Sequence, residues 1–383
     1  MIEWNRETEA HLLGRQAREV LTSADRRALA GRRLLVTGAG GSVGSELSRQ
    51  IAACRPAHLT LIDHSEYALF RIERELRRVY PDVSIAAVLG DVTRRADVRG
   101  AIDATRPHVV YHAAAYKHVA MTETNLVPAA RVNVLGTFEV ARAARDAGAR
   151  FVLVSSDKAA EPRSVMGASK RLAELAALAL STPSFRPVVV RFGNILGSSG
   201  SVIEIMLESV QTGRSIPITD PDATRFFMTA TEAASLVLKS ELLGLRTDVF
   251  WLDMGAPVRI GDLVERMVEL AATRGLPRVG IDVIGLRPGE KVREELTTQA
   301  LAMEPTNHER IWSARQRYIP KAMVNATLRE LRGACSRGDA ARVLAALTAV
   351  VADFVPSPAA QASAAGQSAR DVQSGLSLRV RTA

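Results

Sequence analysis

Between residues 33 and 193 the chain alternates short, bare runs of Val, Leu and Ile with longer amphipathic stretches, and few folds accept that rhythm. The apolar runs fall at 34–37, 59–63, 85–90, 109–113, 151–155 and 188–192. Runs without polar alternation suit strands buried on both faces, as in parallel sheets. The intervening stretches carry helical periodicity; 65–80, for example, sets Leu69, Ile72, Glu73 and Leu76 at helical spacing. The pattern predicts an α/β fold, a doubly wound parallel sheet, over residues 31–193. After Asn194 the rhythm breaks. Short strands are expected at 216–219, 249–253 and 281–284, within a smaller α/β substrate lobe spanning 194–355. Residues 1–30 read as a polar helical arm, and 356–383, rich in Ala, Ser, Gln and Gly, as a disordered tail.

Composition excludes several classes. No run reaches the ~18–20 apolar residues of a membrane helix, and the first 27 residues lack the apolar core of a signal peptide. Cys54 and Cys335, the only cysteines, rule out a disulfide framework or a cysteine-rich metal site, so no metal and a cytoplasmic location are expected. The net charge of +9 is scattered, and aromatics make up 4%, which argues against nucleic acid. Only six of the 50 basic residues are lysines (117, 158, 170, 239, 291 and 321). Where any cation would serve, the sequence uses arginine; four of the six lysines fall inside the motifs below, which supports places where an ammonium that can lose its proton matters.

The stretch TGAGGSVG, 37–44, follows the first apolar run and opens a helix. Its spacing of Gly38, Gly41 and Gly44 lets backbone approach a pyrophosphate seated on the helix N-terminus. Asp63 ends the next run, 19 residues after Gly44, where an acid can bond an adenine ribose. A dinucleotide site is therefore expected. Asp63 would repel a 2′-phosphate, favouring NAD; NADP stays open because His64 and Arg71 lie nearby. Asp91, after the third run, either meets the adenine edge or caps a helix.

The fifth run ends in SSDKA, 155–159, and a helix carrying MGASK, 166–170, follows. Together with TGAGGSVGSEL, LGDV, HAAAYKHV, NVLGT, VRFGNILGSSGSVI, TRFFMT, WLDMG and GLRPGEK, these stretches resemble the extended short-chain dehydrogenase/reductases. The resemblance is to their CapD-like group of nucleotide-sugar 4,6-dehydratases, and it spans residues 33 to 295. Large members of that group carry an N-terminal membrane region, which has no counterpart in this sequence. The resemblance implies that NAD lies along Gly38, Gly41, Ser42, Val43, Gly44, Asp63, His64, Asp91, Val92, Ala113, Ala114, Ala115, Asn133, Ser155 and Lys170. Such enzymes place Tyr and Lys four apart, one helical turn, facing the nicotinamide. Here Lys170 is present, but Met166 stands at the tyrosine position, and a thioether has no proton to exchange. One branch of the group is similar in carrying Met there, and includes enzymes that retain configuration at C5. By the same resemblance Lys158 is the C5 base, Asp157 the C6 acid, and Ser156 a relay for the C4 hydroxyl proton. These roles call for a lowered lysine pKa and a raised aspartate pKa.

On the substrate side, Lys117 and His118 follow the fourth run. Asn194, Arg225 and Arg287 match positions that hold a nucleotide diphosphate, and Glu290 could accept from the ribose. The resulting expectation is a UDP-N-acetylglucosamine 4,6-dehydratase, assembled as a homo-oligomer. The alternatives are a 4-epimerase or dehydratase/5-epimerase on the same scaffold and, more distantly, a non-catalytic cofactor sensor. Asp157 and Lys158 weigh against the sensor, which needs no acid–base pair.

Overall fold

The structure, a computed structural model, describes residues 2–18, 20–244, 249–294, 303–314 and 319–366. The six apolar runs form strands: β1 (Arg33–Thr37), β2 (His58–Asp63), β3 (Ile85–Leu89), β4 (Val109–His112), β5 (Arg150–Val154) and β6 (Val188–Arg191). Three more, β7 (Val249–Leu252), β8 (Met303–Pro305) and β9 (Ile311–Ala314), complete one sheet in the order β8-β9-β7-β6-β5-β4-β1-β2-β3. Pairings from β7 through β3 are all parallel, whereas β9 runs antiparallel to β7 and β8 antiparallel to β9.

The bare apolar runs have a direct cause. Leu34 and Val36 enter one core with Leu47, Ile51 and Leu236, while Leu35 enters the opposite core with Val98, Ile102 and Val140. Successive residues of a strand point to opposite faces, and here both faces are covered by helices, so neither position can be polar. The helix Glu66–Val79 begins where Ser65 caps it, accepting from the Ala68 N–H at 3.4 Å, and buries Leu69, Ile72 and Leu76.

Two expectations about the second half need correction. The strand expected at 249–253 does not belong to the lobe: it is β7, buried along its length and inserted beside β6. Its sequence, VFWL, is as bare as those of β1 to β6, and burial on both faces rather than chain position decides where it goes. The lobe keeps the other two strands, Ile216–Ile218 and Ile281–Val283, paired in parallel. The tail expected from 356 begins later. Ser357 caps a helix, Pro358–Ala364, that buries Ala359 and Ala360; residues 367–383 lie outside the described residues.

Two helices, Lys321–Arg337 and Ala340–Val350, lie across the helix Val165–Leu178 and form a separate core containing Leu172, Leu175, Leu328, Leu331 and Leu347. The N-terminal helices also dock: Leu12 and Leu13 enter the lobe core, and Lys239 donates to Asp25 at 2.7 Å. Among the described residues no helix is long and apolar enough to cross a membrane.

Candidate active site

The sheet reverses its winding between β1 and β4, and in open α/β sheets ligands bind at the C-terminal strand ends beside such a reversal. The glycine-rich turn sits there. Gly38 has φ +65°, and a Cβ on it would lie 2.6 Å from the Ala114 backbone nitrogen. A Cβ on Gly44 would lie 2.0 Å from the Gly38 carbonyl oxygen. Only glycine allows this close approach of turn, helix and the strand beyond. Gly41 then starts the helix Ser42–Ala53 with no side-chain cap and no acid in its first turn, leaving the positive end of the dipole to an anion.

Asp63, at the end of β2, is buried and already works for the turn: it accepts from the Gly40 N–H at 2.8 Å and the Ser65 N–H at 2.9 Å. His64 Nδ1 stands 3.4 Å from the same carboxylate. Asp91 behaves as a turn former, accepting from the Thr93 N–H at 2.8 Å, while its own N–H donates to Asp97. Val92, beside it, is buried and packs against Gly136. Asn133 lies in a π-helical turn, Arg131–Gly136, a distortion that recurs at functional sites. Its amide accepts from the Tyr116 N–H at 2.8 Å and donates to the Tyr116 carbonyl and to Ser169 Oγ. With both its N–H groups spent, Asn133 braces the Ala113–Ala115 loop against the helix Val165–Leu178 instead of reaching a cofactor. Ser155 is corrected likewise: its hydroxyl points away, donating to buried Glu174 at 2.6 Å.

The catalytic candidates gather just past β5. Ser156 caps a single 3-10 turn, Asp157–Ala159, and donates its hydroxyl to Asp157 Oδ1 at 2.8 Å. Oδ1 also accepts from the Lys158 N–H at 2.8 Å and from Lys158 Nζ at 3.2 Å. Asp157 is 3% exposed. The helix carrying Met166 is pinned onto this turn, because a Cβ on Gly167 would lie 2.4 Å from the Lys158 carbonyl oxygen. Met166 and Lys170 are both buried, and Lys170 donates to the Val154 carbonyl at 2.7 Å. Burial lowers the Lys170 pKa to about 8.

Lys158 departs from expectation. Burial opposes its charge, but the Asp157 and Glu294 carboxylates outweigh burial and raise its pKa above the ordinary lysine value. The sequence reading required a lowered one. The partner it missed is Glu294, whose Oε1 lies 3.4 Å from Nζ.

The substrate candidates divide. Asn194, expected at the diphosphate, accepts from Lys158 Nζ at 2.9 Å and so belongs to the acid–base cluster. Arg225 donates to the carbonyls of Thr224, Lys291 and Val292, which spends its fork on backbone. Arg287 is exposed in a turn where its N–H donates to Glu290, and Glu290 shares a shallow cleft with Glu161, Arg163 and Lys291. His118 packs on Gly200, and Ser199 of the same loop donates its N–H to Ser42 Oγ at 3.1 Å, linking that loop to the glycine turn. Lys117 is exposed beside it. Beneath the site Arg191 and Glu174 form a fully buried ion pair that sequence reasoning overlooked. The signal was present: Arg191 ends the bare strand VVVR, and Glu174 is the one charge in the helical stretch LAELAAL.

The sheet order, the glycine turn at β1 and a Met166–Lys170 helix over an acid–base turn define an extended short-chain dehydrogenase/reductase. Residues 34–316 match the family described as polysaccharide biosynthesis protein. The capsular polysaccharide biosynthesis protein CapD of Staphylococcus aureus is 38% identical over 84% of this chain and 54% of its own. The probable polysaccharide biosynthesis protein EpsC of Bacillus subtilis is 43% identical over 74% of this chain and 48% of its own. The chain thus spans about half the length of these relatives. Among solved structures, Pen from Bacillus thuringiensis matches with a TM-score of 0.66 at 27% identity, covering 79% of this chain and 99% of that one. This protein belongs to the polysaccharide biosynthesis protein family.

Proposed function

We propose that the chain is an NAD-dependent nucleotide-sugar 4,6-dehydratase acting on UDP-N-acetylglucosamine with C5 configuration retained. The observation that carries the reading is the Asp157–Lys158 pair, joined at 3.2 Å just past the C-terminal end of β5, as the glycine turn follows the C-terminal end of β1. The glycine turn, the uncapped helix Ser42–Ala53 and Asp63 fit a dinucleotide: Gly38 and Gly44 leave no room for a Cβ, and Asp63 stands at the end of β2. When bound, NAD supplies the hydride acceptor for C4 and returns that hydride at C6.

The chain's own residues handle the protons. Ser156 relays the C4 hydroxyl proton, a task Met166 cannot perform. The ketone formed at C4 acidifies the C5 proton, which a neutral Lys158 amine accepts while the acid form of Asp157 protonates the departing C6 hydroxyl. The raised Lys158 pKa is compatible with this assignment. Moving one proton along the 3.2 Å contact turns ammonium–carboxylate into amine–carboxylic acid, a neutral base and a loaded acid at once. Elimination of water consumes that tautomer and regenerates the charged one, whose Lys158 ammonium then returns a proton to C5 as hydride enters C6; the C4 hydroxyl proton passes through Ser156 to solvent, and the pair regains one proton from solvent.

A second reading, 4-epimerisation, has support in a UDP-glucose 4-epimerase of Rickettsia canadensis, 31% identical over 69% of this chain and 77% of its own. Epimerisation needs neither a C5 base nor a C6 acid. Incubating the purified protein with NAD and UDP-N-acetylglucosamine separates the two: loss of one water by mass supports the dehydratase, and a product of unchanged mass supports the epimerase.

A further inference from the structure

We propose that Glu294 is a positioning residue for the catalytic lysine, its carboxylate, 3.4 Å from the Lys158 ammonium, holding the charged form and thereby governing when the amine is released as a base. The proposal rests on the reading of Lys158 as the C5 base. An ammonium has three donors and no acceptor. Here Asp157 Oδ1 at 3.2 Å, Asn194 Oδ1 at 2.9 Å and Glu294 Oε1 at 3.4 Å surround Nζ. In this state no lone pair faces a substrate.

Glu294 is not needed to hold its own segment. Backbone and Arg225 already do so: the Thr224 N–H donates to the Val292 carbonyl at 2.9 Å, and Arg225 donates to the carbonyls of Lys291 at 2.6 Å and Val292 at 3.0 Å. Its side chain is 8% exposed, and its charged partners are Lys158 and, at 3.8 Å, Arg225 Nε. The charges facing Lys158 are therefore Asp157 from its own turn, Glu294 from the lobe and Arg225 behind Glu294, with neutral Asn194 beside them. Two acids and two cations balance. Removing the Glu294 charge leaves one excess positive charge, which loss of the Lys158 proton would cancel. The cluster also spans two parts of the fold, since Lys158 follows β5 of the sheet and Glu294 comes from the lobe. The lobe thus supplies one of the two carboxylates that set the state of the lysine.

The test uses protein loaded with NAD and carrying 15N-labelled lysine. Its six lysines make the ammonium spectrum readable, and Lys158→Met assigns the signal. In Glu294→Gln, Lys158 should titrate about one to three pH units lower, and because the working pair must keep one shared proton, the descending limb of kcat/KM should move down by the same amount. Glu294→Asp, which keeps the charge, should hold the limb near its original place. An unmoved lysine titration in Glu294→Gln, with only KM raised, would overturn the proposal. So would loss of fold in both variants, since Glu294 would then be an anchor. If the unsubstituted protein removes no water, the dehydratase reading fails, while the lysine titration still decides this one.

Discussion

Asp157 and Lys158 are neighbours in sequence, but it is the 3-10 turn after β5 that folds the lysine's long side chain back to within 3.2 Å of the aspartate beside it. Asp157→Asn and Lys158→Met should each lower turnover at least about a hundredfold while NAD still binds; near-normal rates in either variant would remove the assignment. Met166→Leu should keep most activity, since both side chains only fill space, and a dead but folded variant would give the thioether a role. Lys170 makes a prediction about pH. Its folded pKa of about 8 lies below the ~10.4 of a free lysine, so between those values the unfolded chain binds more protons than the native one. Stability should therefore rise with pH across that window relative to Lys170→Met, as read by urea unfolding; a parallel pH dependence would contradict the burial. At this scale the glycines, Asp157, Lys158 and Lys170 were legible because each sits inside a short local pattern. Glu294 was not, because nothing local says which distant carboxylate a lysine will meet. The backbone partners of Arg225 and Asn133 were not legible, because a polar group aimed at a ligand and one aimed at backbone read alike in sequence.

Among the elements, β1 to β6 were legible to within a residue or two because burial on both faces leaves an unmistakable apolar run. β7 has the same signature and was assigned to the lobe only because it comes late in the chain. β8 and β9 carry a weaker one: Trp312 and Glu304 face outward at an antiparallel edge, and alternation over three or four residues is too short to read. The strongest element-level claim concerns Arg191 at the end of β6 and Glu174 on the helix Val165–Leu178. Both are fully buried, and Glu174 also binds Ser155 and Arg171. Arg191→Ala should cost about 3–5 kcal/mol, because it breaks a fully buried ion pair and leaves the Glu174 charge to Arg171 alone. Several donors lower the Glu174 pKa against the effect of burial. Its contribution should thus be full above the ordinary glutamate range and fade as pH falls through the lowered value. At β2, Asp63→Ala should narrow the preference for NAD over NADP measured by titration; equal affinities in the unsubstituted protein would refute the role given to Asp63.

The whole molecule is a sheet whose candidate-site edge is completed by segments far away in sequence. Glu123 shows this most clearly: buried, it accepts from the Val165 N–H at 2.6 Å at the start of the helix Val165–Leu178 and from the Ser357 hydroxyl of the C-terminal segment. The C-terminal helices, expected from sequence after the lobe strands within 194–355, roof the helix Val165–Leu178. Deleting residues 321–366 should expose Leu172 and Leu175 and yield aggregated protein on size exclusion; a monodisperse, active truncation would show the roof to be dispensable. The central claim, that the pair at 157 and 158 drives an elimination, is tested most directly by following one hydrogen. With UDP-N-acetylglucosamine deuterated at C4, the account predicts the label in the C6 methyl group of a product that has lost water. Label found back at C4, with the 6-hydroxyl intact, would make the protein an epimerase and contradict the account.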